Sequence, residues 1–173
     1  MSTAPKLTES HLTLDEDIVR IINKAITETF GAFIGVTPVL KSSERHNKAL
    51  AEKYEISGII AFIQESIEGT LAIRFKQETI LKLLSKVYGE ELTTLDNRVI
   101  GGVAELSNVI HGIAKEDLNL QGYHYQMCLP VVIIGDNHSV VSALSGHKLV
   151  MKYDIDGEEA IVELVLHKQW NNN

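Results

Sequence analysis

The chain has 173 residues, 45% hydrophobic, 23% charged and 6% aromatic, enough for one domain whose core needs neither disulfide nor metal to hold it. Sixteen basic residues against 23 acidic ones leave a net charge of −7, without the basic footprint that phosphate backbones and anionic lipid attract, so nucleic acid and membrane are not expected as partners. The longest apolar runs, such as Leu129 to Ile134, are strand-length, the N-terminus MSTAPKLTES has no apolar signal region, and the lone Cys128 excludes an internal disulfide; a cytoplasmic protein with Cys128 as a small buried hydrophobe is expected.

Residues 1–12 are polar and are expected to be a flexible N-terminus ahead of a single domain over 13–173. Thr13-Leu14-Asp15-Glu16 has the spacing of a capping box. The apolar residues Ile18, Ile21, Ile22, Ala25, Ile26 and Phe30 then keep a helical period to about Ile34. Val36 to Leu40 predicts a short extended segment near an edge because of Pro38, and 42–52 (SSERHNKALAE) a surface excursion. Tyr54 to Ile63 and Ile67 to Phe75 read as a hairpin pair of strands. Lys76 to Tyr88 has helical spacing and a glycine stop at Gly89, and a second long helix is predicted from about Leu95 to Leu118. Tyr123 to Ile134 reads as one strand. Leu149 to Ile155 and Ala160 to Leu166 are two more, joined at Asp156-Gly157, which supplies the positive φ of a tight turn. The order long helix, strand, strand pair, helix, then long helix, strand, strand pair predicts one unit used twice. An α+β class follows, an antiparallel sheet packed with two long helices and with both its faces shared by a few helices.

The informative segment is NRVIGGVAELSNVIHGIAKEDL, Asn97 to Leu118. At about 100° per residue, Val99, Val103, Leu106, Ile110 and Ile113 form an apolar stripe for the sheet, and Gly101, Glu105, Asn108, Gly112 and Lys115 a second stripe facing away. Each glycine within a helix costs about 1 kcal/mol relative to alanine. A solvated face has no use for that cost, whereas a face approached by another backbone does. Gly101 and Gly112, and His111 beside them, are therefore candidate partner contacts, with Glu105 and Asn108 projecting from the centre of a low ridge; the plain alternative is a set of ordinary surface residues.

Glu105-Leu106-Ser107-Asn108 followed by Gly112 resembles the E-x-x-N motif of the CheX/CheC/FliY chemotaxis phosphatases. Ile67-Glu68-Gly69-Thr70-Leu71 is similar to that family's "EGSL" segment, Glu78-Thr79 matches the start of its following helix, and Leu129-Pro130-Val131-Val132-Ile133 with Gly135 resembles its "P-x-V-I-x-G" strand. The resemblance runs from Asp17 to Lys168 and is closest to the single-site CheX type, since Arg20-Ile21-Ile22-Asn23 on the first helix has arginine where a two-site member has glutamate. It implies a CheC-like pseudo-repeat that forms homodimers. The implied activity is hydrolysis of the aspartyl phosphate of a CheY-type response regulator, with Mg²⁺ on the phosphorylated partner and no cofactor bound by this chain.

In that reading Asn108 orients the attacking water. An amide is neutral, its carbonyl accepts from water and its NH₂ donates, and phosphoryl transfer asks mainly for positioning. Glu105 would be repelled by a phosphoryl group and is better used on a cationic side chain of the regulator. The alternative is a non-catalytic module of the same fold that binds receiver domains as a scaffold; the presence of both Glu105 and Asn108 on one face favours the enzyme. None of the seven histidines forms H-x-x-x-H, so no metal site is expected, and no G-x-S-x-G, P-loop or G-x-G-x-x-G is present.

Overall fold

The computed structural model describes residues 11–46, 53–64, 67–121, 124–136, 138–140 and 147–168. In chain order these form α1 (His11–Ile34), β1 (Val39–His46), β2 (Ile56–Gln64), β3 (Ile67–Phe75), α2 (Gln77–Tyr88), α3 (Asn97–Leu120), β4 (Gln126–Met127), β5 (Val131–Ile134), β6 (His147–Ile155) and β7 (Glu158–Lys168). Residues 1–10 of the expected flexible terminus lie outside the described residues, and His11 and Leu12 are already helical, so Thr13 does not cap α1.

The strands make one antiparallel sheet in the order β1-β6-β7-β3-β2-β4, with β5 also pairing β2. This order is the expected repeat made physical. The hairpins β2–β3 and β6–β7 meet along β3 and β7 at the centre, and the lone strand of each half crosses over to pair with the hairpin of the other. The halves are thus interleaved, and neither could close its own part of the sheet alone.

All three helices lie against one face. Ile21, Ile22, Ala25, Ile26 and Phe30 of α1, Ile80, Leu83 and Leu84 of α2, and Val99, Val103, Leu106 and Ile110 of α3 form one cluster with Ile56, Leu71, Ile73, Phe75, Met151, Tyr153 and Val162 of the sheet. Each such aliphatic or aromatic side chain contributes about 1.5–3 kcal/mol when fully buried. The expectation that helices cover both faces is corrected: the opposite face carries a small cluster of Tyr54, Val150 and Ile161 beside a buried ion pair. There Arg74 meets Glu163 at 2.7 Å and Lys148 meets the same carboxylate at 2.5 Å. Arg74 also lies over the Tyr54 ring, 4.7 Å from its centroid, and donates to the His138 carbonyl at 2.6 Å.

Three further expectations change. Of the excursion expected over 42–52, residues 47–52 lie outside the described residues, and 42–46 are instead most of β1, an edge strand in register with β6 from Ser42↔Lys152 to His46↔Lys148. The strand expected from Tyr123 to Ile134 is two pieces, because Pro130 between them has no N–H to give to a ladder. Cys128 sits in that break and is half-buried, not a core residue. The Asp156-Gly157 turn forms as expected, both residues with positive φ, 58° and 81°, and Gly89 ends α2 in the left-handed region at φ 68°.

Candidate functional site

Helix α3 is fixed at both ends. The Asp96 carboxylate caps it by accepting from Arg98 N at 2.9 Å and Val99 N at 3.2 Å, and the Arg98 guanidinium, which also pairs with Glu90, returns to Asp96 at 2.9 Å. The hydrogen bond from Arg98, then that from Val99 N, holds the Asp96 carboxyl below its ordinary range. Toward the other end, Lys24 of α1 clasps both oxygens of Asp117 at 2.9 Å, and the hydrogen bond it donates to Asp117 raises its ammonium above the ordinary lysine value. Between these ends the helix lies close to the sheet. A Cβ at Gly58 of β2 would collide with Ser107 Oγ and come within 3.0 Å of Val103 Cγ1, so the helix sits lower here than any side chain at 58 would permit.

The two faces of α3 fall as the periodicity expects. Val99, Val103, Leu106 and Ile110 are buried; Ile113 is only partly so. On the opposite side Gly101 and Glu105 are exposed, and Asn108, Gly112 and Lys115 are half-exposed. Glu105 and Asn108 have no hydrogen-bond or ion-pair partner among the described residues. A Cβ built at Gly101 or Gly112 meets nothing within 4 Å. None of the described residues therefore packs against these two glycines. Gly102, which the helical spacing did not single out, is the one used in packing, since a Cβ there would come within 2.8 Å of Leu84 on α2.

His111 does not join the ridge. Only 4% of it is exposed, and its ring stands edge-on to Phe62, centroids 5.8 Å apart, with Tyr125 also edge-on to that phenyl at 5.1 Å. The expected partner contact is corrected for that reason: position 111 lies at the margin of the apolar stripe and the strand beneath supplies a ring for it. Burial, with the nearby Lys115 ammonium adding to it, lowers the imidazole to about 4. Two arrangements went unnoticed in the sequence. One is the Arg74–Glu163 pair, for which the only signal is a charged residue inside each of two apolar strands. The other is a pair of hydrogen bonds at His138: Nδ1 donates to the Gly135 carbonyl at 3.0 Å, so Nε2 accepts from the Ser57 hydroxyl at 2.6 Å. Among the described residues, no group of three or more His, Cys, Asp or Glu could hold a metal ion, and no helix is long and apolar enough to cross a membrane.

The model of one protein family, chemotaxis phosphatase CheX, matches residues 56–154. The chain belongs to the CheX family. It is 27% identical over 130 residues to the CheY-P phosphatase CheX of Thermotoga maritima, an alignment that spans 75% of this chain and 83% of the relative. The fold matches a CheC-like superfamily protein from Shewanella sp. PV-4 with a TM-score of 0.82 at 25% identity, over 87% of this chain and 97% of the other. CheX in a CheX–CheY–BeF₃–Mg²⁺ complex from Borrelia burgdorferi matches with a TM-score of 0.66 at 21% identity, over 87% and 98%. The matched CheX segment contains the whole of α3 and the strands on which it rests.

Proposed function

We propose that this chain hydrolyses the aspartyl phosphate of a CheY-type response regulator by presenting Glu105 and Asn108 to it. Membership of the CheX family supports the reaction class, and the named activity of the Thermotoga relative agrees with it. The Borrelia complex joins a protein of this fold to CheY bearing BeF₃ and Mg²⁺; trifluoroberyllate is a stand-in for a phosphoryl group. The single observation that carries the reading is the bare ridge: an acid and an amide with no partner among the described residues, one helical level from two glycines that border open space.

An acyl phosphate is already activated, so the phosphatase has to supply a water in line with phosphorus and hold it there. The Asn108 amide accepts from that water through its carbonyl and donates to a phosphoryl oxygen through its NH₂, without adding charge. Glu105, three residues earlier on the same face, pairs with a cationic side chain of the regulator and fixes the register of docking. The Mg²⁺ that neutralises the phosphoryl oxygens belongs to the regulator. Net charge −7 gives no long-range attraction toward an acidic partner, so affinity rests on this local pairing and on close approach at the glycines. A homodimer fits the same family reading. Leu129, Val131 and Ile134, exposed by 88%, 58% and 44% at the β5 edge, support contact between two copies there.

Phosphate release from a phosphorylated CheY-type receiver, with and without the protein, tests the reaction. Release well above the receiver's own rate is expected. Tight binding of the phosphorylated receiver with no acceleration would convert the assignment to a receiver-binding scaffold.

A further inference from the structure

The three helices carry six basic residues, and five of them are in ion pairs: Arg20 with Asp17, Lys24 with Asp117, Lys82 with Glu158, Lys86 with Asp156, and Arg98 with Asp96 and Glu90. The sixth is Lys115, the basic residue of the outward stripe of α3, and it has no ion-pair partner among the described residues. Its own helix offers none, since the positions three and four away on either side are His111, Gly112, Leu118 and Asn119. Asp117 nearby is taken by Lys24. The helix dipole does not account for Lys115 either, because that effect is confined to the last turn, and the last turn of α3 holds no basic residue.

A long helical side chain leans back over the turn before it. In the turn before Lys115 are His111, whose imidazole the lysine charge lowers, and Gly112, where a Cβ would meet nothing within 4 Å. The ammonium therefore stands beside a gap in the ridge, one turn beyond Asn108, and no side chain at 112 separates it from a molecule lying there. Along its length the ridge is acidic at Glu105, neutral at Asn108 and basic at Lys115. Charges of opposite sign at the two ends complement a partner surface in one direction only.

We propose that Lys115 pairs with a carboxylate of the receiver and, with Glu105 holding a cationic side chain, fixes the direction in which the receiver lies along α3. Ten residues separate the two charges, about 15 Å along the axis, so the receiver presents its base and its acid at about that spacing. The Mg²⁺ beside its phosphorylated aspartate is itself held by carboxylates, which makes that region of the receiver acidic. Lys115 is a docking residue and takes no part in the chemical step. The identity of the partner rests on the phosphatase reading, whereas the pairing does not require that hydrolysis occur.

Affinity for a CheY-type receiver loaded with BeF₃ and Mg²⁺, measured by calorimetry over a range of salt concentrations, tests docking apart from turnover. Lys115→Met keeps most of the aliphatic stem and should bind about fivefold more weakly, with a smaller salt dependence than the wild type; Lys115→Arg should retain both the affinity and the salt dependence. In phosphate release from the phosphorylated receiver, Lys115→Met should raise KM with kcat unchanged. Unchanged affinity in Lys115→Met, or weaker binding that keeps the wild-type salt dependence, would overturn the proposal. A fall in kcat would overturn it too, by placing the ammonium in the chemical step. Wild-type binding without faster phosphate release would refute the phosphatase reading alone, and the Lys115 variants would still decide the docking role. No binding by the wild type would overturn both.

Discussion

Ser107 of α3 rests directly on Gly58 of β2, so close that any side chain at 58 would occupy the space of the serine hydroxyl. The hydroxyl itself is turned back to the Val103 carbonyl at 2.8 Å, which removes it from competition with the sheet. Because Ser107 lies between Glu105 and Asn108 in the chain, this one contact sets the height at which the ridge stands.

Gly58→Ala should therefore lift α3 and cost about 1–3 kcal/mol of stability, as overpacking of a tight site does. Chemical denaturation would measure it. Ser107→Ala in the same chain removes the colliding oxygen and should restore part of the loss; no restoration would mean that the collision is not the cause.

The ridge glycines separate stability from function. Gly101→Ala and Gly112→Ala point a methyl group into open space and should each stabilise the protein by about 1 kcal/mol through helix propensity. If a partner's backbone lies against the ridge, the same changes should raise KM for the phosphorylated receiver. A stabilised variant with unchanged KM would remove the reason offered for these glycines.

Neutral His111 gives the fold an acid-sensitive element. In the unfolded chain the imidazole takes a proton near its ordinary value of 6.5, whereas burial holds it at about 4 in the folded protein. Between those values the unfolded state binds the proton and the folded state does not. The contribution of His111 is thus fully present above about pH 6.5 and falls away by about 3 kcal/mol as the pH drops to 4. Unfolding free energies measured across that window should show this slope, and His111→Leu should flatten it.

Tyr153 is 1% exposed and its hydroxyl has no hydrogen-bond partner among the described residues; burial raises its ionisation above the ordinary phenol value. Tyr153→Phe removes an unsatisfied polar group at nearly constant volume and should stabilise the protein by about 1 kcal/mol. A loss of stability, read from the same denaturation curves, would show that the hydroxyl is satisfied in solution.

Helices and ridge were legible because they depend only on spacing along one element. The stripe of Val99, Val103, Leu106 and Ile110 determines which residues of α3 face outward, whatever lies beneath. What depended on other elements was not legible. Ser42 to His46 form a strand although none of them is apolar, since an edge strand is held by backbone bonds to β6 and leaves no pattern in its side chains. His111 misled for a related reason: a polar residue beside an exposed strip reads as exposed until the Phe62 ring is known to lie against it. The interleaving of the two halves, likewise, follows from pairing across the sheet and has no mark in either half.

Asn108 is the residue on which hydrolysis at the ridge depends most directly. Single-turnover dephosphorylation of a phosphorylated CheY-type receiver, run with saturating Asn108→Ala protein, isolates the chemical step from docking. Loss of the amide should slow that step by about 10²–10³, the effect of removing a group that positions a transition state, while the receiver still binds through Glu105. An unchanged rate in a folded, receiver-bound Asn108→Ala protein would contradict the assignment of the ridge as the catalytic element.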